Sequence, residues 1–325
     1  MSAVRVVRAE DLSNEAYHAL PDVGSTTLKK WCGPKRYALA PDDPSPGMLQ
    51  ARAIGTCVHS LVLEGRQDWV DPFTMDPPAG LMEARDALKA AGITRRGKEG
   101  KAQWAPLDAQ LEQWESARDS AREAHAADAE ARNLYPLGDD DVELVKGVSA
   151  AVLANPIAAM MIDACETPEL SIFWTEVVEV DGETVEIPCK CRVDVPVWDA
   201  LAGAYVVGDL KTTREALTPK ALAKAAANTN IPFQSAYYRR GMLAAGMDVS
   251  SCMTIWGSTS APHGCEVTQF TADDMDRADR MVDVALRNCA RHLLQPERWE
   301  GLADDGGEAT IRTLALPRWW GMEEV

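Results

Sequence analysis

The sequence is poor in basic residues relative to acidic ones. Of its 325 residues, 33 are Lys or Arg and 50 are Asp or Glu, which gives a formal net charge of −17. Nonspecific affinity for DNA comes mostly from the neutralisation of phosphates by Lys and Arg, so this charge disfavours indiscriminate binding to a polyanion. A nucleic-acid substrate would have to meet a local basic channel.

The sequence also lacks an apolar segment long enough to span a bilayer. Its longest weakly polar run, GVSAAVLANPIAAMMI at 147–162, is interrupted by Pro156, whereas a spanning helix needs about 20 apolar residues. Near the N-terminus no apolar stretch combines a basic flank with a cleavage site. These absences predict a protein without a membrane partner and with a cytoplasmic location.

The cysteines form neither a metal-binding nor a disulfide pattern. None stands in a CxxC pair and their spacing gives no even framework, which argues against a zinc ribbon, an iron–sulfur site and a disulfide scaffold. We interpret them as reduced thiols of the core, at Cys32, Cys57, Cys165, Cys189, Cys191, Cys252, Cys265 and Cys289.

The first half of the chain is predicted to be mostly helical. Ser25 and Thr26 are candidate caps of a helix through LKKWCGPKRYA, and further helices are expected over 48–65, 81–92, 101–133 and on both sides of Asn155-Pro156. The basic segment TRRGKEGK at 94–101 is broken by glycine and is predicted to be a loop.

The pattern changes to strands at about residue 169. The runs ELSIFWTEVVEV and VEIPCKCRVDVPV flank an Asp-Gly turn and predict a β-hairpin. Alternation in the second run places Cys189, Cys191, Val193, Val195 and Val197 on one face, and Lys190, Arg192 and Asp194 on the other.

A third strand is predicted at AYVVGDLKTT, in which Asp209 and Lys211 share a face. Helices opened by Pro219 and Pro232, two later strands and a helix capped near Thr271 complete the order. This order predicts a mixed α/β fold in a single domain over 1–325, with a mostly helical part over 1–165 and an α/β core over 166–325.

The triplet Asp209-Leu210-Lys211 is weak evidence by itself, because Asp-x-Lys occurs by chance roughly once in a chain of this length. Its value comes from the buried strand before it and from Asp194 on a neighbouring strand. Two adjacent carboxylates repel unless a cation joins them, and oxygen ligands suit Mg²⁺ or Mn²⁺. A lysine beside the ion could orient a water and balance charge on a phosphate.

Taken together, these residues resemble the PD-(D/E)xK nuclease superfamily. The resemblance is carried by His59 in GTCVHSLVLE, Asp194 in CRVD, GDLKTT, and Gln234 with Tyr238 in PFQSAYY. Within the superfamily the chain is most similar to the nuclease domain of the exodeoxyribonuclease VIII (RecE-type) phage recombination exonucleases, over about 20–322. The segments PELSIFW and LALPRWW add to the similarity, whereas Val193 departs from the family's frequent proline.

The resemblance implies a restriction-endonuclease-like core, with a central mixed sheet flanked by helices and a helical N-terminal elaboration. It implies that His59, Asp194, Asp209 and the carbonyl of Leu210 hold Mg²⁺, with Mn²⁺ as the alternative, and that Lys211 positions the attacking water. Gln234 and Tyr238 lie at i and i+4 and would support the lysine. Glu169 occupies an acidic position before the first core strand.

The resemblance further implies a 5′ to 3′ exonuclease on the ends of linear double-stranded DNA, located in a bacterial cytoplasm. Its product would be a 3′ single strand for annealing recombination, and its partners a homo-oligomeric ring and a single-strand annealing protein. The alternatives are another nuclease on the same core, Cas4-like or a repair enzyme, and a catalytically silent protein that binds DNA ends. A missing cysteine cluster speaks against the Cas4-like enzyme.

Basic residues near an aromatic side chain suit a nucleic-acid strand, so Arg95, Arg96, Lys98 and Lys101, close to Trp104, are candidate DNA contacts. A solvated loop is the alternative for this segment. Two further basic clusters, Lys29, Lys30, Lys35 and Arg36, and Arg239 with Arg240, are interpreted as surface features, and Trp319 with Trp320 as closing the core.

Other site candidates also have structural alternatives. His59 could be a satisfied core histidine, Asp194 could pair with Arg192, and Gln234 with Tyr238 could serve helix packing.

Overall fold

The structure is a computed structural model that describes residues 4–32 and 43–296. Lys35, Arg36, Trp319, Trp320 and the segment LALPRWW lie outside the described residues.

The N-terminal part of the described chain is mainly helical. After a short strand β1 (Arg5–Val7), it contains α1 (Asn14–Ala19), α2 (Ser25–Lys29), α3 (Pro46–Glu64), β2 (Trp69–Val70), α4 (Leu81–Ala90), α5 (Gly97–Ala131), β3 (Tyr135–Pro136), α6 (Asp139–Ala154) and α7 (Pro156–Asp163). The α3 helix follows its sequence signals closely. Ser45 caps its start, and Gly65 ends it in the left-handed conformation.

The described residues of the second part begin with four strands, followed by two helices, two strands and a last helix. This part contains β4 (Leu170–Val180), β5 (Glu183–Val193), β6 (Val195–Asp199), β7 (Ala204–Thr213), α8 (Pro219–Thr229), α9 (Ile231–Ala244), β8 (Val249–Ser258), β9 (Cys265–Gln269) and α10 (Ala272–Leu294). The predicted mixed α/β class is therefore confirmed.

The strands of the second part form two sheets. β4 and β5 are the predicted hairpin, paired from Leu170 opposite Val193 to Val180 opposite Glu183, and β1 adds a third antiparallel strand beside β4. Asp181 and Gly182 both have positive φ, as a two-residue I′ turn requires. The mixed sheet contains β6, β7, β8 and β9 in that order, with β7 and β8 parallel.

Asp194 is the residue between the two sheets, since β5 ends at Val193 and β6 begins at Val195. Val193 packs in the apolar cluster that joins the hairpin to α9 and α10, whereas Val195 packs in the cluster under α3 and α6. The prediction that both valines share one face is therefore wrong. The strand changes sheets at Asp194, so the alternation of faces does not continue through it.

Two other local predictions are corrected. Ser25 is the first residue of α2, and Gly24 occupies the N-cap. The segment 97–101 belongs to the first turns of α5 and not to a loop. The helix can begin there because Gly100 has no side chain: a Cβ at this position would lie 2.1 Å from the carbonyl oxygen of Thr94.

Within the described ranges, no single helix is both long and apolar enough to cross a bilayer. The α6 and α7 helices meet the length and composition requirement only as a pair, and they are bent by 88° relative to each other.

Candidate metal centre

A large cleft opens between the helical part and the strands. It has a volume of about 1770 Å³ and is bordered by residues of α1, α3, β5, β7 and the C-terminal end of α5. Several predicted site residues line it, namely His59, Glu169, Asp194, Leu210, Lys211 and Tyr238. The fold thus brings together residues that are up to 179 positions apart in the chain, as His59 and Tyr238 are.

The position of Asp194 follows from the junction between the sheets. The break in the strand lets its carboxylate reach the neighbouring β7, where Oδ2 accepts a 2.8 Å hydrogen bond from the backbone N–H of Leu210. The alternative ion pair with Arg192 does not form, because Arg192 donates to Ser171 Oγ and to the carbonyl of Leu12. Asp194 is therefore buried and held by backbone.

Glu169 lies directly before β4 and faces the same site. Its backbone N–H donates to the carbonyl of Asp194 at 3.0 Å, which extends the hairpin ladder by one pair. It has φ of +55°, a left-handed conformation that is uncommon for a residue other than glycine. Such conformations persist where the surrounding structure fixes them, and they cluster at functional sites.

His59 completes a cluster of three potential ligands. Its Nδ1 lies 3.6 Å from Glu169 Oε1 and 3.7 Å from Asp194 Oδ2, and the ligand atoms of the three residues all lie within 4.8 Å of one another. Its other ring nitrogen, Nε2, lies 2.7 Å from the carbonyl oxygen of Leu210. A histidine that binds a metal commonly donates its second N–H to a backbone carbonyl, which leaves a lone pair on the nitrogen that faces the ion.

Asp209 and Lys211 form an ion pair beside this cluster. Lys211 Nζ lies 2.6 Å from Asp209 Oδ1 and 3.4 Å from the carbonyl oxygen of Leu210. Gln234 Nε2 also donates to Asp209 Oδ1, at 3.0 Å. The second oxygen, Asp209 Oδ2, is buried and has no hydrogen-bond partner in the structure. A buried carboxylate oxygen without a donor is costly unless a cation or proton approaches it.

The pKa values in the cluster reflect burial and mutual charge. Burial raises the pKa of Asp194 to about 7, against the opposing effect of His59. Burial alone lowers the pKa of His59, but the carboxylates of Asp194 and Glu169 outweigh it and raise that pKa above its ordinary value. Burial raises the pKa of Glu169, but the hydrogen bond and charge of His59, together with the charges of Arg192 and Lys211, outweigh it and the net pKa is lowered. The protonation of each of the three groups therefore depends on that of the other two.

The residues present fit a divalent metal. A neutral imidazole, two carboxylates and the orphaned Asp209 Oδ2 supply nitrogen and oxygen donors. A dication would stabilise the ionised form of Asp194, whose pKa is raised mainly by burial and further by the charge of Asp209. The predicted ligands His59 and Asp194 lie in the three-residue cluster. Glu169, predicted among the catalytic residues, joins them. Asp209, also a predicted ligand, forms an ion pair with Lys211 beside the cluster. The carbonyl oxygen of Leu210, the fourth predicted ligand, lies against His59 Nε2.

Gln234 and Tyr238 lie on one face of α9, as their spacing predicts. Gln234 Nε2 is 2.9 Å from Tyr238 Oη, and burial, reinforced by Asp209 and Asp194, raises the pKa of Tyr238 well above its ordinary value. The tyrosine hydroxyl therefore keeps its proton. Gln234 thus donates to Asp209 and contacts Tyr238, so both residues have polar contacts next to the site in addition to helix packing.

The sequence-based interpretation missed Lys29, which was grouped with surface residues. Its ammonium is half-buried and donates to Gln234 Oε1 at 3.3 Å and to the carbonyl of Thr229 at 3.3 Å. Burial, together with the nearby ammonium of Lys211, lowers the pKa of Lys29 to about 8. No local pattern could have identified it, because its partners lie about 200 residues further along the chain.

The basic segment before Trp104 lies away from this site. None of Arg95, Arg96, Lys98 and Lys101 is among the residues that line the cleft, whereas the other end of α5 reaches it at Ala126. The 25 residues from Lys101 to Ala126 span about 38 Å of helix. Arg95 is already paired with both carboxylate oxygens of Asp108. A role of this segment in DNA binding stays a prediction.

Comparison with solved structures finds a likeness at low sequence identity. A solved structure from Eubacterium rectale, described as a "putative exonuclease", is similar to this chain at 11% sequence identity and a TM-score of 0.46, covering 94% of this chain and 96% of the other. No family model and no curated protein matches the sequence.

Proposed function

We propose that this protein is a metal-dependent exodeoxyribonuclease of the RecE type, which degrades linear double-stranded DNA from 5′ to 3′ and leaves 3′ single-stranded overhangs for annealing recombination. The observation that carries the proposal is the convergence of His59, Glu169 and Asp194 within 4.8 Å, beside the Asp209–Lys211 pair, in one cleft. This set supplies metal ligands and an ammonium at one point, as phosphodiester hydrolysis requires.

The ligand set would be His59, Glu169 and Asp194, with Asp209 adding its unpartnered oxygen. A bound Mg²⁺ or Mn²⁺ would act as a Lewis acid on the phosphate and lower the pKa of a water molecule. Mg²⁺ prefers oxygen ligands and imidazole is more often bound by transition metals, so the histidine makes a comparison with Mn²⁺ informative.

The chain's own groups would orient the reactants. Lys211 is held by Asp209 and by the carbonyl of Leu210, and its ammonium can orient the attacking water and balance charge that develops on the phosphate. Gln234 holds Asp209 in place, and Tyr238 in turn holds Gln234. Water attacks in line with the leaving oxygen, so the chain needs no covalent intermediate.

The charge of the cleft indicates how DNA would be held. Basic and acidic side chains line it in similar numbers, the basic ones being Arg52, Arg66, Arg132, Lys190, Arg192 and Lys211. Because the walls are nearly balanced in charge, the metal would contribute much of the positive charge that faces the scissile phosphate. We therefore expect weak DNA binding in the presence of a chelator.

Two partners belong to the same proposal. A homo-oligomeric ring with a basic lumen would reconcile the net charge of −17 with a DNA substrate, and a single-strand annealing protein would receive the product strand. Sedimentation of the protein should give an oligomer, and a monomer at all working concentrations would contradict the ring.

The decisive experiment compares linear and circular duplexes of the same sequence with Mg²⁺, with Mn²⁺ and with EDTA. Nucleotides should be released only from the linear form and only with metal, and a label at the 5′ end should be released before one at the 3′ end. Asp209→Ala and Lys211→Ala should lose at least 100-fold in rate, whereas Lys146→Ala, an exposed lysine paired with Glu143, should not.

Other results of this experiment would favour one of the alternative functions or contradict the assigned roles. Cleavage of the circle as well would indicate a different nuclease on the same core. Binding of DNA ends without cleavage would indicate a catalytically silent end-binding protein. Wild-type rates in Asp209→Ala or Lys211→Ala would overturn the assigned roles.

A further inference from the structure

Lys29 links the N-terminal helical part to the site through a single side chain. It is the last residue of α2, and its ammonium contacts both the C-terminal carbonyl of α8, at Thr229, and the side chain of Gln234 in α9. A cation at the C-terminal end of a helix interacts favourably with the helix dipole. These contacts hold Lys29 in a position where its charge faces the amide of Gln234.

The amide of Gln234 has one orientation that satisfies all its neighbours. An ammonium can only donate hydrogen bonds and an ionised carboxylate can only accept them. The oxygen Oε1 must therefore face Lys29, and Nε2 must face Asp209 Oδ1, at 3.0 Å. Lys29 and Asp209 thus define the orientation from opposite ends of the same side chain.

Loss of Lys29 would free Gln234 to turn. Its Oε1 would then lack a donor in a half-buried position, and a half-turn of the amide would offer that oxygen to the hydroxyl of Tyr238. Asp209 would lose the donor that Gln234 supplies. Its carboxylate would be held by Lys211 alone, and the direction of its unpartnered Oδ2 would no longer be fixed.

We propose that Lys29 is a positioning residue of this site, which locks the amide of Gln234 and thereby sets the orientation of Asp209 and Lys211. The loss of nuclease rate expected on replacing Lys29 rests on the proposed function. The link from Lys29 through Gln234 to Asp209 is a property of the metal-free protein and can be tested without activity.

The kinetic test uses a double-mutant cycle with Lys29→Met and Gln234→Leu. Lys29→Met should lower kcat on linear duplex by about 10–100-fold, as is typical for a residue that orients a ligand, with KM within about twofold. In the Gln234→Leu background the same change should cost less than about threefold, because the two residues act in series. Lys29→Arg, which keeps the donors, should recover most of the rate, and Lys30→Met serves as the matched control.

A second readout does not depend on catalysis. The side-chain amide signals of Gln234, identified by their loss in Gln234→Leu, should shift in metal-free Lys29→Met and stay unchanged in Lys30→Met. If Lys29→Met does not fold, Lys29→Gln tests the same contact with a neutral donor.

The outcomes distinguish the proposed nuclease function from the link between Lys29 and Gln234. A wild-type protein without nuclease activity would reject the proposed function, while the amide signals would still decide the link. Unchanged Gln234 signals would overturn the link itself. An equal loss of kcat in both backgrounds, or a raised KM with unchanged kcat, would show that Lys29 acts elsewhere, for example as a DNA contact, and would refute the positioning role.

Discussion

Replacing Lys211 by methionine should destabilise the metal-free protein and leave the metal-bound protein nearly as stable as the wild type. The ammonium lies 2.6 Å from Asp209 Oδ1, and the two side chains are 27% and 5% exposed. At an effective dielectric constant of about 20, a pair at this distance attracts by about 6 kcal/mol, and the desolvation of both groups offsets much of that.

The loss of unfolding free energy in Lys211→Met depends on the groups that still contact Asp209. Removal of one partner of a buried pair costs about 3–5 kcal/mol, because the other charge stays buried. Since Lys211 is partly exposed and Gln234 still donates to Asp209, we expect the lower end, about 3 kcal/mol of unfolding free energy. A divalent ion in the cluster would restore positive charge near Asp209, so saturating Mg²⁺ should recover about 2 kcal/mol of this loss. Nuclease activity should not recover.

The assay is urea unfolding followed by circular dichroism, once with EDTA and once with MgCl₂. Lys146→Met is the matched control, because its ion pair with Glu143 is 55% and 75% exposed and should contribute less than about 0.5 kcal/mol. If Lys211→Met is as stable as the wild type in EDTA, or equally destabilised in both conditions, the charge balance inferred for this site is wrong.

Two further predictions concern the metal itself. Glu169→Gln should weaken Mg²⁺ or Mn²⁺ binding by about 10–100-fold in calorimetric titration, whereas the exposed Glu166→Gln should leave it unchanged; equal affinities in both variants would remove Glu169 from the ligand set. Metal affinity should be lower near pH 6 than near pH 8, because the pKa of Asp194 is about 7 and that of His59 is raised, so protons held below about pH 7 must be displaced by the ion. Calorimetry at both pH values checks this, and a pH-independent affinity would argue against a site built on these two residues.

The parts of the fold that the sequence predicted well are those with local causes. The hairpin follows from an Asp-Gly turn between runs of β-branched residues, and α8 begins at Pro219 as predicted. The α3 helix begins at Pro46, two residues before the predicted start at 48, because the side chain of Ser45 caps it by accepting a hydrogen bond from a backbone N–H group. The first strand was missed, because three residues at Arg5–Val7 carry no periodic pattern and are fixed only by pairing with β4.

The site shows the same division between local and distant causes. The Asp209–Lys211 pair and the i, i+4 relation of Gln234 and Tyr238 could be read from spacing, since both members of each pair lie on one element. The contact of Glu169 with His59 depends on a left-handed residue before a strand. The contact of Lys29 with Gln234 depends on packing between segments 205 positions apart in the chain, so neither contact has a signature in a short window of sequence.

Because Asp194 alone joins β5 to β6, the position of its carboxylate depends on the number of residues in β5. A single residue inserted between Lys190 and Val193 would shift the register by one, so that Val193 would take the position of Asp194 and Asp194 that of Val195. Valine would then face the cleft and the carboxylate would face the apolar cluster, although every residue of the site was still encoded. Substitutions in β5 should therefore be tolerated far more often than insertions or deletions of the same size.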